Sequence, residues 1–324
     1  MLVCNFILML MVLVSVAFFT LLERSVLGYI HVRKGPNKVG YIGLFQPFAD
    51  AIKLFCSEAN HMKYMNVILH VMVPVLSLIL MMSFWVVYIW LMGQVEMEYS
   101  LIYFLCVSSL GVYVILWGGW ASNSSYGLLG SFRGLAQVIS YEVSMSFVLI
   151  GVIYFGGSYN IMFVCSFQDG YWMVWGLIGV FFLWMISSLA EVNRSPFDLS
   201  EGESELVSGF NVEYGSYGFA MLFISEYGNI IFMSMLGSVM FWGGVGLMNF
   251  LLVMMMYLYL LIRGTLVRFR YDVLMMLAWS VVLPCSMLVF YIVFWMKFIY
   301  FYFVCVIFSK TFSGFLFYIF KMYT

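Results

Sequence analysis

Apolar residues run in blocks along this chain, and the blocks are long. Stretches near 2–22, 67–93, 100–121, 133–155, 171–190, 217–241, 247–262 and 273–296 consist mostly of Leu, Ile, Val, Met and Phe. Each lasts about 16 residues or more, and a helix needs about 20 to cross a hydrocarbon layer of roughly 30 Å. A backbone in hydrocarbon must satisfy its own hydrogen bonds, so such blocks predict helices and not lone strands. The pattern predicts an all-α, polytopic membrane bundle of eight transmembrane helices, a single transmembrane domain over residues 1–324. The first block lacks a basic leader and a small-residue cleavage site, so it reads as a retained span. Beyond Lys297 the chain stays apolar but is interrupted by Lys310 and Lys321, which leaves an interfacial tail and a ninth span both open.

A different period appears between the first two blocks. Phe45, Phe48, Ile52 and Phe55 recur at three- and four-residue steps, with Gln46, Asp50, Lys53 and Ser57 elsewhere around the turn. Such a stripe predicts an amphipathic helix lying flat in the interface or packed on the rim of the bundle. Pro47 is compatible with the first turn of that helix.

Charge then sorts the loops. If the blocks alternate in direction, loops 23–66, 122–132, 191–216 and 263–272 share one side; counting Arg133 at the helix boundary, they hold 11 of the 14 Lys and Arg residues. The opposite loops carry Glu96, Glu98 and Asp169 and no base. This asymmetry is the positive-inside pattern, and it puts both termini on the outer side. With 65% hydrophobic and 9% charged residues and a mean hydropathy of +1.04, the chain has too few charges for a water-facing surface. A net charge of -1 with no basic tract excludes nucleic acid as a partner. Cys4, Cys56, Cys106, Cys165, Cys285 and Cys305 show no metal-ligand spacing, and His31, His61 and His70 are dispersed. No metal or haem site is predicted. The abundance of Phe, Met and Tyr beside so few bases hints at a small, biased genome such as an organelle's.

The polar residues that break this pattern are the informative ones. Residues 190–215, AEVNRSPFDLSEGESELVSGFNVEYG, hold Glu191, Asp198, Glu201, Glu203, Glu205 and Glu213 against the single base Arg194. Carboxyls crowded this closely favour sharing protons over full ionisation, although a solvated acidic loop is the plainer alternative. Pro196, Gly202 and Gly209 break helical continuity and suit a folded or re-entrant loop. Two further acids fall inside blocks. Glu142 lies nine residues past Arg133, about 13 Å along a helix, and Glu226 sits similarly deep in the sixth block. Tyr141 and Tyr227 stand beside them. An ionisable group at that depth costs several kcal/mol unless paired, wetted or neutral, so proton relay is the leading role and helix-gluing neutral carboxyls the alternative. Two basic clusters complete the set. Glu23 and Arg24 end the first block, and Arg33 and Lys34 lead into the turn Gly35-Pro36-Asn37; Arg263, Arg268 and Arg270 accompany Asp272. Each alone reads equally as a headgroup anchor.

Taken in order, LLERSVLGYIHVRKGPNKVG (21–40), GSFRGLAQVISYEVS (130–144), the acidic stretch 190–215 and VRFRYDVLMMLAW (267–279) closely resemble the subunit 1 family of mitochondrial NADH:ubiquinone oxidoreductase, respiratory complex I. The resemblance covers nearly the whole chain. It implies an eight-helix, multi-pass protein of the mitochondrial inner membrane with both termini in the intermembrane space. It further implies that the chain forms the membrane part of the ubiquinone chamber beneath the peripheral arm. Ubiquinone would be the substrate, while NADH, FMN and iron–sulfur clusters would belong to partner subunits. The other partners would be antiporter-like membrane subunits and lipid, and the isolated chain would catalyse nothing. Carried over residue by residue, Glu23, Arg24, Arg33, Asp50 and Arg268 or Arg270 would line the chamber and its mouth. Glu191, Asp198, Glu201, Glu203, Glu205 and Glu213 would link the chamber to the membrane arm, and Glu142 and Glu226, with Tyr141 and Tyr227, would continue that link into the bundle. The sequence departs from the family pattern at Val267, where Pro is expected, and at Ser280, where Lys is expected. A stand-alone proton- or ion-coupled transporter using Glu142 and Glu226 as carrier sites, or a docking scaffold that carries no protons, would share the same hydropathy.

Overall fold

The computed structural model of the chain describes residues 2–58, 63–91, 97–168, 170–200, 209–243 and 248–299. Among the described residues all regular structure is helical. The helices are α1 (Leu2–Ile30), α2 (Gln46–Cys56), α3 (Val67–Leu91), α4 (Ser100–Ser122), α5 (Ser125–Gly156), α6 (Ile161–Ser166), α7 (Met173–Gly176), α8 (Ile178–Glu191) and α9 (Ser216–Trp242). They are followed by α10 (Met248–Thr265) and α11 (Tyr271–Ile299). Among them, α1, α3, α4, α5, α9 and α11 supply six segments long and apolar enough to cross a membrane, whereas α8 and α10 are apolar but shorter.

Several boundaries differ from the hydropathy blocks, each for a local reason. α1 continues past residue 22 to Ile30, so Glu23 and Arg24 lie on a helix and not in a loop. α5 begins at Ser125 instead of 133, because the Ser124 side chain caps it by accepting from the Gly127 amide at 3.2 Å. Arg133 is therefore two turns inside the helix. The fifth block is divided: Leu177, at φ -125° and ψ 39°, separates α7 from α8. α11 widens into a π-helix over Leu277–Val282, the kind of local irregularity that concentrates near functional positions.

The bundle is organised around α9, which packs against α1, α3 and α10 and buries almost its whole length from Ile230 to Phe241. Lipid tails are as apolar as leucine, so close packing and not water exclusion holds such helices together. Small residues make that approach possible. A Cβ on Gly237 would fall 2.8 Å from Nε1 of Trp184 on α8. Phe84, Phe104 and Phe232 fill the centre, with ring centroids 5.1–5.8 Å apart.

Contacts among the loops separate the two ends of the bundle as the charge count anticipates. At the basic end the Asn66 amide donates to Ala121 O (3.0 Å), and Phe269 N to Pro196 O (3.1 Å). Asn123 Nδ2 also reaches Tyr64 O there at 3.3 Å. At the opposite end Leu101 N donates to Tyr159 O (3.3 Å), and the Lys297 ammonium reaches the Tyr154 carbonyl. The predicted helix in the first loop is present as α2, with Pro47 in its first turn. It packs on α1 and α9, Phe18 meeting Phe48 at 6.0 Å, while Phe45, Phe48, Ile52 and Phe55 stay exposed.

Candidate functional site

The functional side chains gather where α1, α8, α9 and α10 reach the basic end. Glu23, buried on α1, pairs with Arg263 on α10, 240 residues away in sequence. Its second oxygen, Oε2, is buried, and the Tyr227 phenol on α9 lies within reach of the same carboxylate. One residue on, Arg24 Nη1 donates to Asp50 Oδ2 at 2.5 Å, and Gln46 holds the other Asp50 oxygen at 2.9 Å. This pair ties α1 to α2 but is half exposed, so it is worth at most about 1 kcal/mol.

The acidic segment enters from α8. Arg268 donates to Asp198 at 2.9 Å, joining the 191–200 segment to the turn before α11. Phe197 stacks on Phe269 across the same junction at 5.8 Å. Arg270 instead faces Asp272 at 3.2 Å on the surface, so among the described residues Arg268, and not Arg270, pairs with the acidic segment. Arg33 is exposed after the end of α1, with no ion pair among the described residues. Glu213 is half-buried in the turn before α9. Glu201, Glu203 and Glu205 lie outside the described residues. Near that turn, Tyr214 stacks in parallel on His70 at 4.2 Å, and burial pushes the Tyr214 phenol above its ordinary value.

Arg194 is the residue that sequence reasoning did not assign. It is buried, donates to Glu226 Oε2 at 3.3 Å, and lies over the Tyr227 ring at 4.5 Å. Its signal was visible as the single base among six acids; its partner, 32 residues away, was not. Two cavities meet at this pair. One, of about 20 Å³, is lined by Glu23, Arg263, Arg194, Ser188 and Tyr259, with Ser188 and Tyr259 bonded at 2.8 Å. The other, of about 90 Å³, is lined by Glu191, Asn193, Glu226 and Asn229 together with Ser77, Ser108 and Ser225. Buried Glu191 Oε2, Asn193 Oδ1 and Asn229 Oδ1 have no hydrogen-bond partner among the described residues. Three unmet acceptors around one space large enough for several waters call for donors, supplied by water or by protonated carboxyls.

Glu191 is within electrostatic reach of Glu142 on α5. Beside Glu142, the fully buried Tyr141 packs its ring on Phe197 at 5.6 Å and points its hydroxyl at Leu274 O. The structure thus brings together Glu142 with Glu191, and Glu226 with Arg194 and Tyr227. Glu226 is ion-paired, yet it opens on the same cavity as Glu191. No group of three or more metal-ligating side chains occurs among the described residues.

A helical bundle with six segments long and apolar enough to cross a membrane, and with buried and half-buried carboxyls gathered beside two cavities, defines a protein of the multi-pass membrane class. Comparison with known proteins supplies the particular family. The NADH dehydrogenase family model matches residues 4–294, and the chain belongs to that family. It is 49% identical to NADH-ubiquinone oxidoreductase chain 1 of Rhipicephalus sanguineus, over 87% of this chain and 90% of the relative. The Locusta migratoria protein of the same name is 50% identical over 89% and 93%, and that of Aedes aegypti 48% identical over 88% and 92%.

Proposed function

We propose that this chain is a core membrane subunit of respiratory complex I in the mitochondrial inner membrane, and that it couples ubiquinone reduction to proton translocation. In this reading the six long helices plus the shorter α8 and α10 make eight crossings, with both termini in the intermembrane space. α2 lies in the interface with its phenylalanine stripe toward lipid. Glu23, Arg24, Arg33, Asp50 and Arg268 border the ubiquinone chamber, and other complex I subunits dock over the basic end. NADH, FMN and iron–sulfur clusters reside on those partners, which deliver electrons to the quinone.

Quinone reduction to quinol takes up two electrons and two protons. Taking those protons from nearby carboxyls leaves charge beside a low-dielectric wall, where it is poorly screened. Glu23 and Arg263 face that change on one side of Arg194, and Glu226, Glu191 and Glu142 lie on the other. The observation that carries the reading is the 90 Å³ cavity whose unmet acceptors include Glu191, joined through the Arg194–Glu226 pair to the cavity of Glu23. Glu142→Gln and Glu226→Gln in the assembled complex test it. Quinone-linked turnover should fall at least about tenfold, a loss on the order of 1.4 kcal/mol, with assembly intact. Wild-type turnover and wild-type protons moved per electron in both variants would remove the reading.

A further inference from the structure

We propose that Gln137 is a positioning residue: its side-chain amide fixes the acidic segment against α5 and so sets Glu191 relative to Glu142. The proposal rests on the coupling reading above. Gln137 is 0% exposed in the interior of α5. Its Nε2 donates to two carbonyls, Ala190 O at 3.0 Å and Phe197 O at 2.6 Å. These bracket the turn that carries Glu191, Asn193 and Arg194, so one side chain closes the turn at both ends. An amide has two N–H donors and can serve two carbonyls at once, which a hydroxyl cannot.

The rest of the α5 face fits the same role. One turn earlier, a Cβ on Gly134 would come within 3.0 Å of Ser200 Cβ, and one on Gly130 within 2.8 Å of Gly209 Cα. One turn later, the Tyr141 ring meets Phe197. The described ends of the acidic segment therefore lie along positions 130, 134, 137 and 141 of one helix, and Glu142 of that helix is within electrostatic reach of Glu191. Among the described residues, Gln137 gives this bed two directional bonds from one side chain. Its own Oε1 is buried with no partner among the described residues, a cost retained at a site where a leucine would pack without one.

The test uses the assembled complex carrying Gln137→Leu, Gln137→Glu or, as a reference, Glu142→Gln. Quinone-linked turnover and protons moved per electron are followed across pH, and reduction of a water-soluble artificial acceptor by NADH reports on the partner subunits alone. Gln137→Leu should lower turnover by about tenfold or more, since two buried carbonyls lose their donor, while the artificial-acceptor rate stays unchanged. Gln137→Glu can donate only while its carboxyl holds a proton. One O–H serves only one of the two carbonyls, so its turnover should recover part of the way toward wild type at acidic pH and fall as pH rises, a profile that a filler of the same shape would not give. The titratable groups on the two elements it joins are Tyr126, Arg133, Tyr141, Glu142 and Tyr154 on α5, and Glu191, Arg194 and Asp198 on the 191–200 segment, with Arg268 facing Asp198 from the turn before α11. Wild-type turnover in the assembled Gln137→Leu complex would overturn the proposal, as would a Gln137→Glu profile parallel to wild type. Failure of both variants to assemble would also overturn it, because positioning alone does not govern assembly. If Gln137→Leu alone fails to assemble, the Gln137→Glu profile decides. Wild-type turnover and proton stoichiometry in both Glu142→Gln and Glu226→Gln would sink the coupling reading instead, and are read separately.

Discussion

The two ends of the bundle close their loops by different chemistry. Among the described residues, the basic end adds ion pairs to its backbone contacts: Glu23 with Arg263, Arg24 with Asp50, Asp198 with Arg268 and Glu226 with Arg194. At the opposite end they are mostly neutral. Gln168 donates to Val164 O, Val239 O and Met240 O at 3.0–3.1 Å, covering the carbonyls that end α9. Ser100 accepts from Ile161 N at 2.9 Å. Neutral caps satisfy helix termini as well as charges do and incur less desolvation, so ion pairs are not needed to hold such a bundle shut. Charge gathered at one end, two of its carboxylates buried, therefore speaks for a task beyond structure.

That contrast can be broken at graded cost. Arg194→Leu should have the largest effect, because it leaves Glu226 in a buried setting without its arginine, at about 3–5 kcal/mol. Thermal inactivation of the assembled complex would measure it, and adding Glu226→Gln should recover most of the loss. If the double variant is no better than the single, the pair is not what holds the region together. Gln168→Leu should come next, at about 1–3 kcal/mol for the buried helix carbonyls it leaves unmet. It should lower thermal stability while proton stoichiometry stays at the wild-type value; altered stoichiometry would mean that the neutral end also takes part in coupling. Arg24→Ala should be smallest, about 1 kcal/mol or less in stability for a half-exposed pair. That small loss should shrink further in high salt, since exposed charges are screened over roughly 8 Å at physiological ionic strength.

Much of this was legible in the sequence, and the exceptions have physical causes. Block length and loop charge gave the helices and sorted the loops, because both follow from what lipid tolerates in any chain. Boundaries suffered where a helix outruns the hydrocarbon. α1 carries polar residues beyond its apolar block and α5 carries them ahead of it, and hydropathy reads both stretches as loop. The division at Leu177 involves only apolar neighbours and leaves no mark on a hydropathy profile. Depth alone flagged Glu142 and Glu226. The partners did not show: Arg263 lies 240 residues from Glu23, and Gln137 lies 53 and 60 residues from the carbonyls it holds. A glutamine among apolar neighbours has no charge to draw notice, yet its bonds organise the whole turn.

The length of α1 carries one more consequence. Its 29 residues extend about 43 Å, well beyond the roughly 30 Å of oil a bilayer offers. The surplus stands clear of the fatty layer as a rigid post, and Glu23 and Arg24 are mounted on it. Their height above the lipid is set by a continuous rod gripped by α9 and α10, not by a slack tether, so the Glu23 carboxylate keeps a fixed address while the lipid around it moves.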